Sequence, residues 1–385
     1  MATSTTPLRV LTAVPICDGH DSAIHTINLE LVRHGVEVIY LGYHRSAPTI
    51  VRAAIQEDVR AIGISSYNGG HIEFFKEVID LLKARGVADI GVFGGGGGTI
   101  THGDAAIMYA HGIDRIFFAG TSLGEITEFV IQTYGHKEEN RAIEPQGGDP
   151  HPDRRLAKLL TAAIDNLDGT TPISSCRSPV TRPPIIGFSG PGGAGKTTLI
   201  DEIVLRALMA HPPAKIAILS HDPSLVGKGA LLGDRASMIY AQDDRVFMRS
   251  LATRGQAGGL AEATARCLHV LKQAESNGSA FDLILVETVG IGQEAAPFQD
   301  ALVDKTVLVM GPDYGSRLQL QKITLLDLAD IVVVNKVDRP GASTALTELE
   351  YRLTLNRRDQ KLIATVAKYH RDPGVDQLYR LLGGM

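Results

Sequence analysis

The run Gly190-Pro-Gly-Gly-Ala-Gly195-Lys196-Thr197 constrains this chain more than any other feature. It is a complete GxxxxGK-Ser/Thr pattern, preceded by the apolar stretch Pro184 to Ser189 and followed by a helical run from Thr198 to Met209. A strand, a glycine-rich turn and a helix in that order form a phosphate cradle. The glycines let backbone N–H groups wrap a polyphosphate, the lysine supplies a point charge, and the threonine hydroxyl can hold Mg²⁺. The nucleotide-binding residues expected here are Gly190, Gly192, Gly193, Ala194, Gly195, Lys196, Thr197 and Thr198. A cradle of this kind needs a parallel α/β sheet around it, and the block from Ile185 almost to the C-terminus has that rhythm.

A second α/β block precedes it. From Leu8 to about Tyr134, strand-like runs (LRVLTAV, VEVIYLG, RAIGISS, IGVFGG, DRIFF) alternate with helical ones, such as Ser22 to His34 with Ile24, Ile27 and Leu31 on one face. Five such units predict a doubly wound, flavodoxin-like (Rossmann-like) parallel sheet. The rhythm breaks over residues 135–184, where proline, glycine, serine and threonine dominate around one amphipathic helix, Asp153 to Leu167. The expected layout is therefore 1–134 as a first α/β domain, 135–184 as a linker with a docking helix, and 185–385 as the P-loop domain. At 385 residues, 44% hydrophobic and 21% charged, the chain has material for two or three globular domains of ~150 residues each. A net charge of −5 with no Lys/Arg run offers no footprint for nucleic acid. Apolar stretches such as Leu283 to Val286 and Ile331 to Val334 are far short of the ~18 residues that cross a bilayer. No secretory signal and three scattered cysteines, Cys17, Cys176 and Cys267, lead us to expect a cytoplasmic protein with reduced thiols.

Asn335-Lys336-Val337-Asp338 follows the buried-looking strand Asp330 to Val334 and resembles the guanine-recognition tetrad of GTPases. The Asp338 carboxylate can accept from guanine N1–H and its exocyclic amine, a pair that adenine lacks, so the site would reject ATP. Between the two motifs, Glu287-Thr-Val-Gly290 ends one strand, Asp222 ends another, and Asp234 lies in Leu-Gly-Asp-Arg. Their positions make them candidates for Mg²⁺, with Thr197. Lys196, Glu287 and Gln293 are the candidate catalytic residues, although Gln293 stands three residues after the switch glycine and nothing in the sequence identifies what orients the attacking water.

Asp222-Pro-Ser, Leu231-Leu-Gly-Asp234-Arg, Met248-Arg-Ser-Leu-Ala-Thr-Arg254, Glu287-Thr-Val-Gly-Ile-Gly-Gln293 and Asn335-Lys-Val-Asp-Arg339 together resemble the MeaB-type G-protein metallochaperones of adenosylcobalamin-dependent acyl-CoA mutases. The resemblance runs from Ile185 to Leu382. It implies Asp222, Asp234 and Glu287 as magnesium-site residues, Asn335, Lys336, Asp338 and Ala367 around the guanine, and Gly311 to Lys322 as an extra switch loop facing the mutase. By the same resemblance we expect no counterpart of the C-terminal dimerisation arm of stand-alone chaperones.

In the first block, Asp18-Gly-His20-Asp21-Ser22-Ala23 follows the first strand, Ser65-Ser-Tyr67 the third, and five glycines from Gly94 the fourth. This resembles the DxHxxG…SxL…GG signature of domains that bind cobalamin base-off with histidine on cobalt. Ala23 stands for the glycine and Tyr67 for the leucine, departures similar to those of the fused isobutyryl-CoA mutase family, which the whole chain resembles most. The resemblance implies His20 as the cobalt ligand, with Asp18, Asp21, Ser65, Tyr67, Gly94 and Gly95 around the cofactor. Asp18 would accept from the second imidazole nitrogen, Ser65 would bond the displaced base, and Gly94 and Gly95 would let its tail pass close to the backbone. His25, His71 and His102 are read as structural.

Two functional readings follow. In the first, the chain is the adenosylcobalamin-carrying small subunit of an acyl-CoA mutase fused to its GTPase chaperone, using GTP, GDP and Mg²⁺ to gate delivery or removal of the cofactor. Its partners would be a separate large subunit with a substrate-binding barrel of ~250 residues and an adenosyltransferase, with a homodimer left open. In the second, it is a corrinoid carrier or cobalamin sensor with a regulatory GTPase. Only 17 residues precede Asp18, too few for the helical cap of methyl carriers, and no DNA-binding element is visible. Which acyl-CoA is rearranged is not written in these residues.

Overall fold

The computed structural model describes residues 7–16, 18, 22–135, 151–165, 182–225, 227–276, 279–290, 297–298, 301–314, 324–356 and 358–384. In chain order its first half runs β1 (Arg9–Ala13), α1 (Ser22–Arg33), β2 (Glu37–Tyr40), α2 (Ala47–Gln56), β3 (Ala61–Ser65), α3 (His71–Ala84), β4 (Gly91–Gly95), α4 (His102–His111), β5 (Arg115–Phe117), α5 (Leu123–Tyr134) and α6 (Pro152–Asp165). Its second half runs β6 (Ile185–Ser189), α7 (Lys196–Ala210), β7 (Ile216–Asp222), β8 (Ala230–Leu232), α8 (Asp234–Ser237), β9 (Val246–Ala252), α9 (Thr264–Gln273), β10 (Glu275–Ser276), β11 (Ser279–Ala280), β12 (Leu283–Glu287) and β13 (Lys305–Met310). It closes with α10 (Thr324–Leu328), β14 (Ile331–Asn335), α11 (Ala342–Thr354), β15 (Lys361–Thr365) and α12 (Pro373–Leu381).

Helix starts are set by short polar side chains that satisfy the free N–H groups of the first turn. Ser46 caps α2, with Pro48 in the first turn, and Ser122 caps α5. Thr101 and Asp104 form a reciprocal capping box on α4, and Asp372 caps α12. The strands β1, β3, β6, β12 and β14 are buried along their whole length, as strands covered by helices on both faces must be. No helix among the described residues is long and apolar enough to cross a membrane.

The chain divides into two compact units: residues 1–176 with 223–236, and residues 177–222 with 237–385. The first unit is a parallel sheet in the order β5-β4-β3-β1-β2-β8, the doubly wound order expected, with one strand more. That extra strand comes from inside the block expected to be one continuous P-loop domain, 185–385. Ala230, Leu231 and Leu232 pair with Glu37, Val38 and Ile39 along the otherwise open edge of β2. Gly229 makes the approach feasible, since a Cβ there would lie 1.9 Å from the Val36 carbonyl oxygen.

A buried ionic network fixes this addition. Arg9 bonds Glu37 at 2.6 Å and Glu57 at 2.8 Å, while Arg235 bonds Glu57 at 3.1 Å and the Gln56 amide oxygen at 3.2 Å. All four charged side chains are at most 4% exposed. The helix expected in the linker is α6, and it packs on the end of α2: Gln56 donates to Asp153 at 3.1 Å and the Thr161 hydroxyl to Asp58 at 2.7 Å.

The second unit is a seven-stranded, all-parallel sheet, β15-β14-β13-β6-β12-β7-β9. β6, which leads into the phosphate loop, lies centrally between β13 and β12. Its core gathers Phe188, Leu199, Ile203, Ile218, Leu285, Val307 and Val333 around the carrier of that loop.

Candidate functional site

Each unit carries a candidate site at the carboxyl ends of its strands, where open α/β sheets bind ligands. In the first unit, β1 lies between β2 and β3, so the chain's direction of winding reverses beside it. The loop after β1 brings Asp18, 1% exposed, to the loop after β3, and its carboxylate accepts a hydrogen bond from the Tyr67 backbone N–H. The Thr99 hydroxyl donates to the Tyr67 carbonyl at 3.0 Å, tying the glycine run to the same loop. Ser65 and Gly95 are register partners at the ends of β3 and β4. The loops that bear Asp18 and Tyr67 and the start of the glycine run thus lie together. His20 and Asp21 lie outside the described residues.

Beneath these loops lies a cavity of about 390 Å³, bounded by α1, α5 and the ends of β1, β3 and β4. Phe93, Phe117 and Phe118 supply aromatic walls, Ser65 and Tyr67 stand at the strand-end side, and Gly94 and Gly95 border it. A planar aromatic group fits this lining, as the base of a corrinoid's tail requires. The glycines serve a tighter purpose than the one expected of them. A Cβ on Gly94 would sit 2.4 Å from the Ile64 carbonyl oxygen and 2.5 Å from the Phe75 ring, so packing against β3 and α3 already demands glycine there. Thr12 also lines the cavity. Its hydroxyl is buried and has no hydrogen-bond partner among the described residues, and nothing in the sequence motifs pointed to it. His71 bonds the Asn68 carbonyl and faces Asp104 at 3.3 Å, and the His102 ring lies tilted against Phe118 with 4.2 Å between centroids.

In the second unit the phosphate loop joins β6 to α7. Gly190 has φ +141° and a Cβ there would meet the Val309 carbonyl oxygen at 2.0 Å, so only glycine serves. Lys196, 6% exposed, turns its ammonium onto the Gly190 and Pro191 carbonyls at 3.1 and 3.3 Å. The Thr197 hydroxyl donates to Glu287 Oε1 at 2.7 Å. Gly290 packs on Gly192, with room for no side chain. Ala194 and Thr198 lie where the loop turns into the helix, Ala194 buried.

The guanine tetrad is tied to the same loop. Asn335 donates to the Ala194 carbonyl at 2.9 Å and accepts from the Ala367 N–H at 3.0 Å and the Thr365 hydroxyl at 3.1 Å. Lys336, at φ +63°, donates to the Gly193 carbonyl at 2.6 Å. Asp338 is exposed and paired with Lys368, whose hydrogen bond holds its carboxyl below the usual carboxylate range.

Of the residues expected around magnesium, Thr197 and Glu287 touch, and Asp222 ends β7, the strand next to β12. Asp234 opens α8 in the segment that belongs to the first unit. Hydroxyl and carboxylate oxygens are the hard donors that Mg²⁺ takes, together with phosphate and water. Among the described residues no three His, Cys, Asp or Glu side chains gather into a metal cage. Gln293 and residues 315–322 of the expected switch loop lie outside the described residues. One residue here escaped the motifs: His221 is fully buried, bonds the Glu287 carbonyl at 2.8 Å and the Thr264 hydroxyl at 2.9 Å, and burial pushes its pKa down to about 4. It therefore holds the end of β12 as a neutral ring.

Residues 8–125 match the B12 binding domain, and residues 167–381 match the family described as Methylmalonyl Co-A mutase-associated GTPase MeaB. Fused isobutyryl-CoA mutase of Geobacillus kaustophilus is 37% identical over 400 residues, which cover 97% of this chain and 36% of that protein. The protein of the same name from Cupriavidus metallidurans is 37% identical over 399 residues, covering 98% of this chain and 35% of the relative. The methylmalonic aciduria type A homolog of Mus musculus is 33% identical over 187 residues, covering 48% of this chain and 43% of that protein. The chain thus spans about a third of the length of the two mutases it matches. A match that runs through more than half of the residues, from before the phosphate loop to beyond the NKVD turn, means that the chain belongs to the MeaB family of methylmalonyl-CoA mutase-associated GTPases, here with a B12-binding domain ahead of it.

Proposed function

We propose that this chain carries adenosylcobalamin for an acyl-CoA mutase and gates its delivery or removal with GTP. The substrate-binding part would lie outside these residues, in our reading on a separate large subunit, and an adenosyltransferase would be a further partner. The observation that carries the reading is the pairing, on one chain, of the aromatic cavity under Asp18, Ser65 and Gly94 with a phosphate loop joined to an NKVD turn.

In the first unit, His20 would hold cobalt and Asp18 would orient its imidazole. A carboxylate has about four acceptor sites, so the bond to Tyr67 N–H leaves capacity for a ring N–H. Ser65 would bond the displaced base near the cavity mouth. When bound, the cofactor would supply the radical chemistry of a 1,2-rearrangement.

In the second unit, Lys196 would exchange its carbonyl partners for the β- and γ-phosphate oxygens of GTP. Thr197 and Glu287, with Asp222, would hold Mg²⁺, whose charge offsets that of the phosphates. Asp338 would read guanine through its two acceptor oxygens, and Gln293 is our candidate for the attacking water. Loss of the γ-phosphate removes contacts that order the loops around it, which is the two-state element that gating needs.

The test is nucleotide selectivity. The protein should hydrolyse GTP slowly, with Mg²⁺, and in clear preference to ATP. Asp338→Asn should move the preference toward xanthine nucleotides, because an amide donates where the carboxylate only accepts. Equal use of ATP by the unaltered protein would contradict the assignment.

A further inference from the structure

Arg206 lies on α7, the helix whose first turn carries Lys196, Thr197 and Thr198. It is buried, and all five of its N–H donors are used. One goes to Asp376 on α12 at 2.7 Å. Two go to Glu202, one turn earlier on α7, at its carbonyl and at its carboxylate. The last two go to main-chain carbonyls in the segment after β15, those of His370 at 3.1 Å and Asp372 at 3.4 Å. The Glu202 carboxylate, itself buried, also bonds the His370 ring at 2.6 Å.

That segment carries part of the candidate guanine site. The Ala367 N–H and the Thr365 hydroxyl hold the Asn335 side chain, and Lys368 pairs with Asp338. Two short turns lead from there to the arginine's partners. Tyr369 N–H donates to the Val366 carbonyl at 2.9 Å, and Asp372 N–H to the Tyr369 carbonyl at 3.1 Å. Asp372 then caps α12, and Gly374 lets the first turn of that helix lie on β15, where a Cβ would meet the Ala364 carbonyl oxygen at 1.9 Å. Charge pairing alone would be served by the bonds to Glu202 and Asp376. The two bonds to loop carbonyls do something else: they fix the main chain of residues 370–372 against the helix that begins at the phosphate loop. The planar guanidinium fork spans these partners with its donors in a fixed arrangement.

We propose that Arg206 is a positioning residue for base recognition, holding the segment 366–372 at a set distance from the phosphate loop so that Ala367, Lys368 and Asp338 meet a guanine whose phosphates are already seated. It acts through these residues and not on the nucleotide itself. The inference rests on the guanine reading of the NKVD turn above and adds the device that sets the spacing between base and phosphates.

The experiment measures the affinities of GDP and ADP, each with Mg²⁺, for the full chain and for Arg206→Lys. Lysine keeps the positive charge beside Glu202 and Asp376, but its three donors sit on one atom and cannot span the carboxylates and both carbonyls. The ratio of GDP affinity to ADP affinity should fall by about tenfold, the size of one charge-assisted hydrogen bond lost at the base, with ADP affinity unchanged. A merely structural role would lower the melting temperature and leave the ratio as in the unaltered protein, and that result overturns the inference. A second measurement needs no variant. Amide exchange at Tyr369 and Asp372 in the unaltered full chain should be slow without nucleotide and change by less than about twofold on adding GDP, because the fork already holds these turns. Protection that arises only with GDP would contradict the assignment to Arg206. If the unaltered protein binds GDP and ADP equally, the guanine reading falls and takes this inference with it.

Discussion

The two units share an all-parallel, helix-covered sheet and place their candidate sites at the same end of it, yet the two sites are built in opposite ways. In the second unit the site's polar groups already hold one another: Lys196 on loop carbonyls, Thr197 on Glu287, Asn335 and Lys336 on the phosphate loop. In the first unit the described loops are tied by the Asp18 carboxylate on the Tyr67 N–H and the Thr99 hydroxyl on the Tyr67 carbonyl, and the cavity beneath them is walled largely by aromatic and aliphatic side chains. A phosphate site is made of backbone dipoles and charges that find partners among themselves when no phosphate is present. An aromatic pocket has no such internal partners and is held open by the rigidity of its sheet. Polar exchange therefore governs the nucleotide site, and packing governs the other.

The contrast can be broken most severely at the ionic network of the first unit. Glu57→Ala would leave Arg9 and Arg235 buried without their shared carboxylate, at a cost of about 3–5 kcal/mol. Thermal unfolding should show the first unit melting earlier, with faster amide exchange at residues 230–232, while nucleotide binding persists. Equal loss in both units would mean that the segment does not belong to the first one.

Lys196→Ala should act on the other side. Loss of the point charge on the β- and γ-phosphates should weaken GTP binding by on the order of 100-fold, about 2.7 kcal/mol. Corrinoid affinity measured without nucleotide should be unchanged. A matching fall in corrinoid affinity would remove the distinction between the two sites.

A smaller effect sharpens the electrostatic side. Asp338 is held below the usual carboxylate range by Lys368, so the ionised form that guanine requires persists as the pH falls. Preference for GTP over ATP, measured by competition, should therefore survive between pH 7 and about pH 5, above the ordinary aspartate pKa of about 3.9. Loss of the preference already near pH 6 would mean that Asp338 is not the reader.

These sites differ in legibility for the same physical reason that they differ in construction. The phosphate loop and the NKVD turn are written in contiguous residues whose types the chemistry dictates, so both could be read from the chain alone. The resemblance to cobalamin domains likewise rested on loop residues, and Asp18, Ser65 and Gly94 do converge. The sixth strand was not legible. Ala230 to Leu232 is three residues long, and what makes it a strand is the exposed edge of β2, far away in the chain. The burial of Glu57 and Arg235 was not legible either, because the partners of a buried ion network lie far apart in the chain and leave no local pattern.

In the proposed function the first unit would hold a corrinoid through His20 while the second binds GTP. The most direct measurement is the absorption spectrum of cobalamin bound to the full chain and to His20→Ala. The unaltered protein should bind about one equivalent per chain with the spectrum of a base-off, histidine-ligated corrinoid, and His20→Ala should lose that spectrum and bind more weakly. An identical spectrum in the two proteins, or no bound corrinoid in the first, would contradict the account.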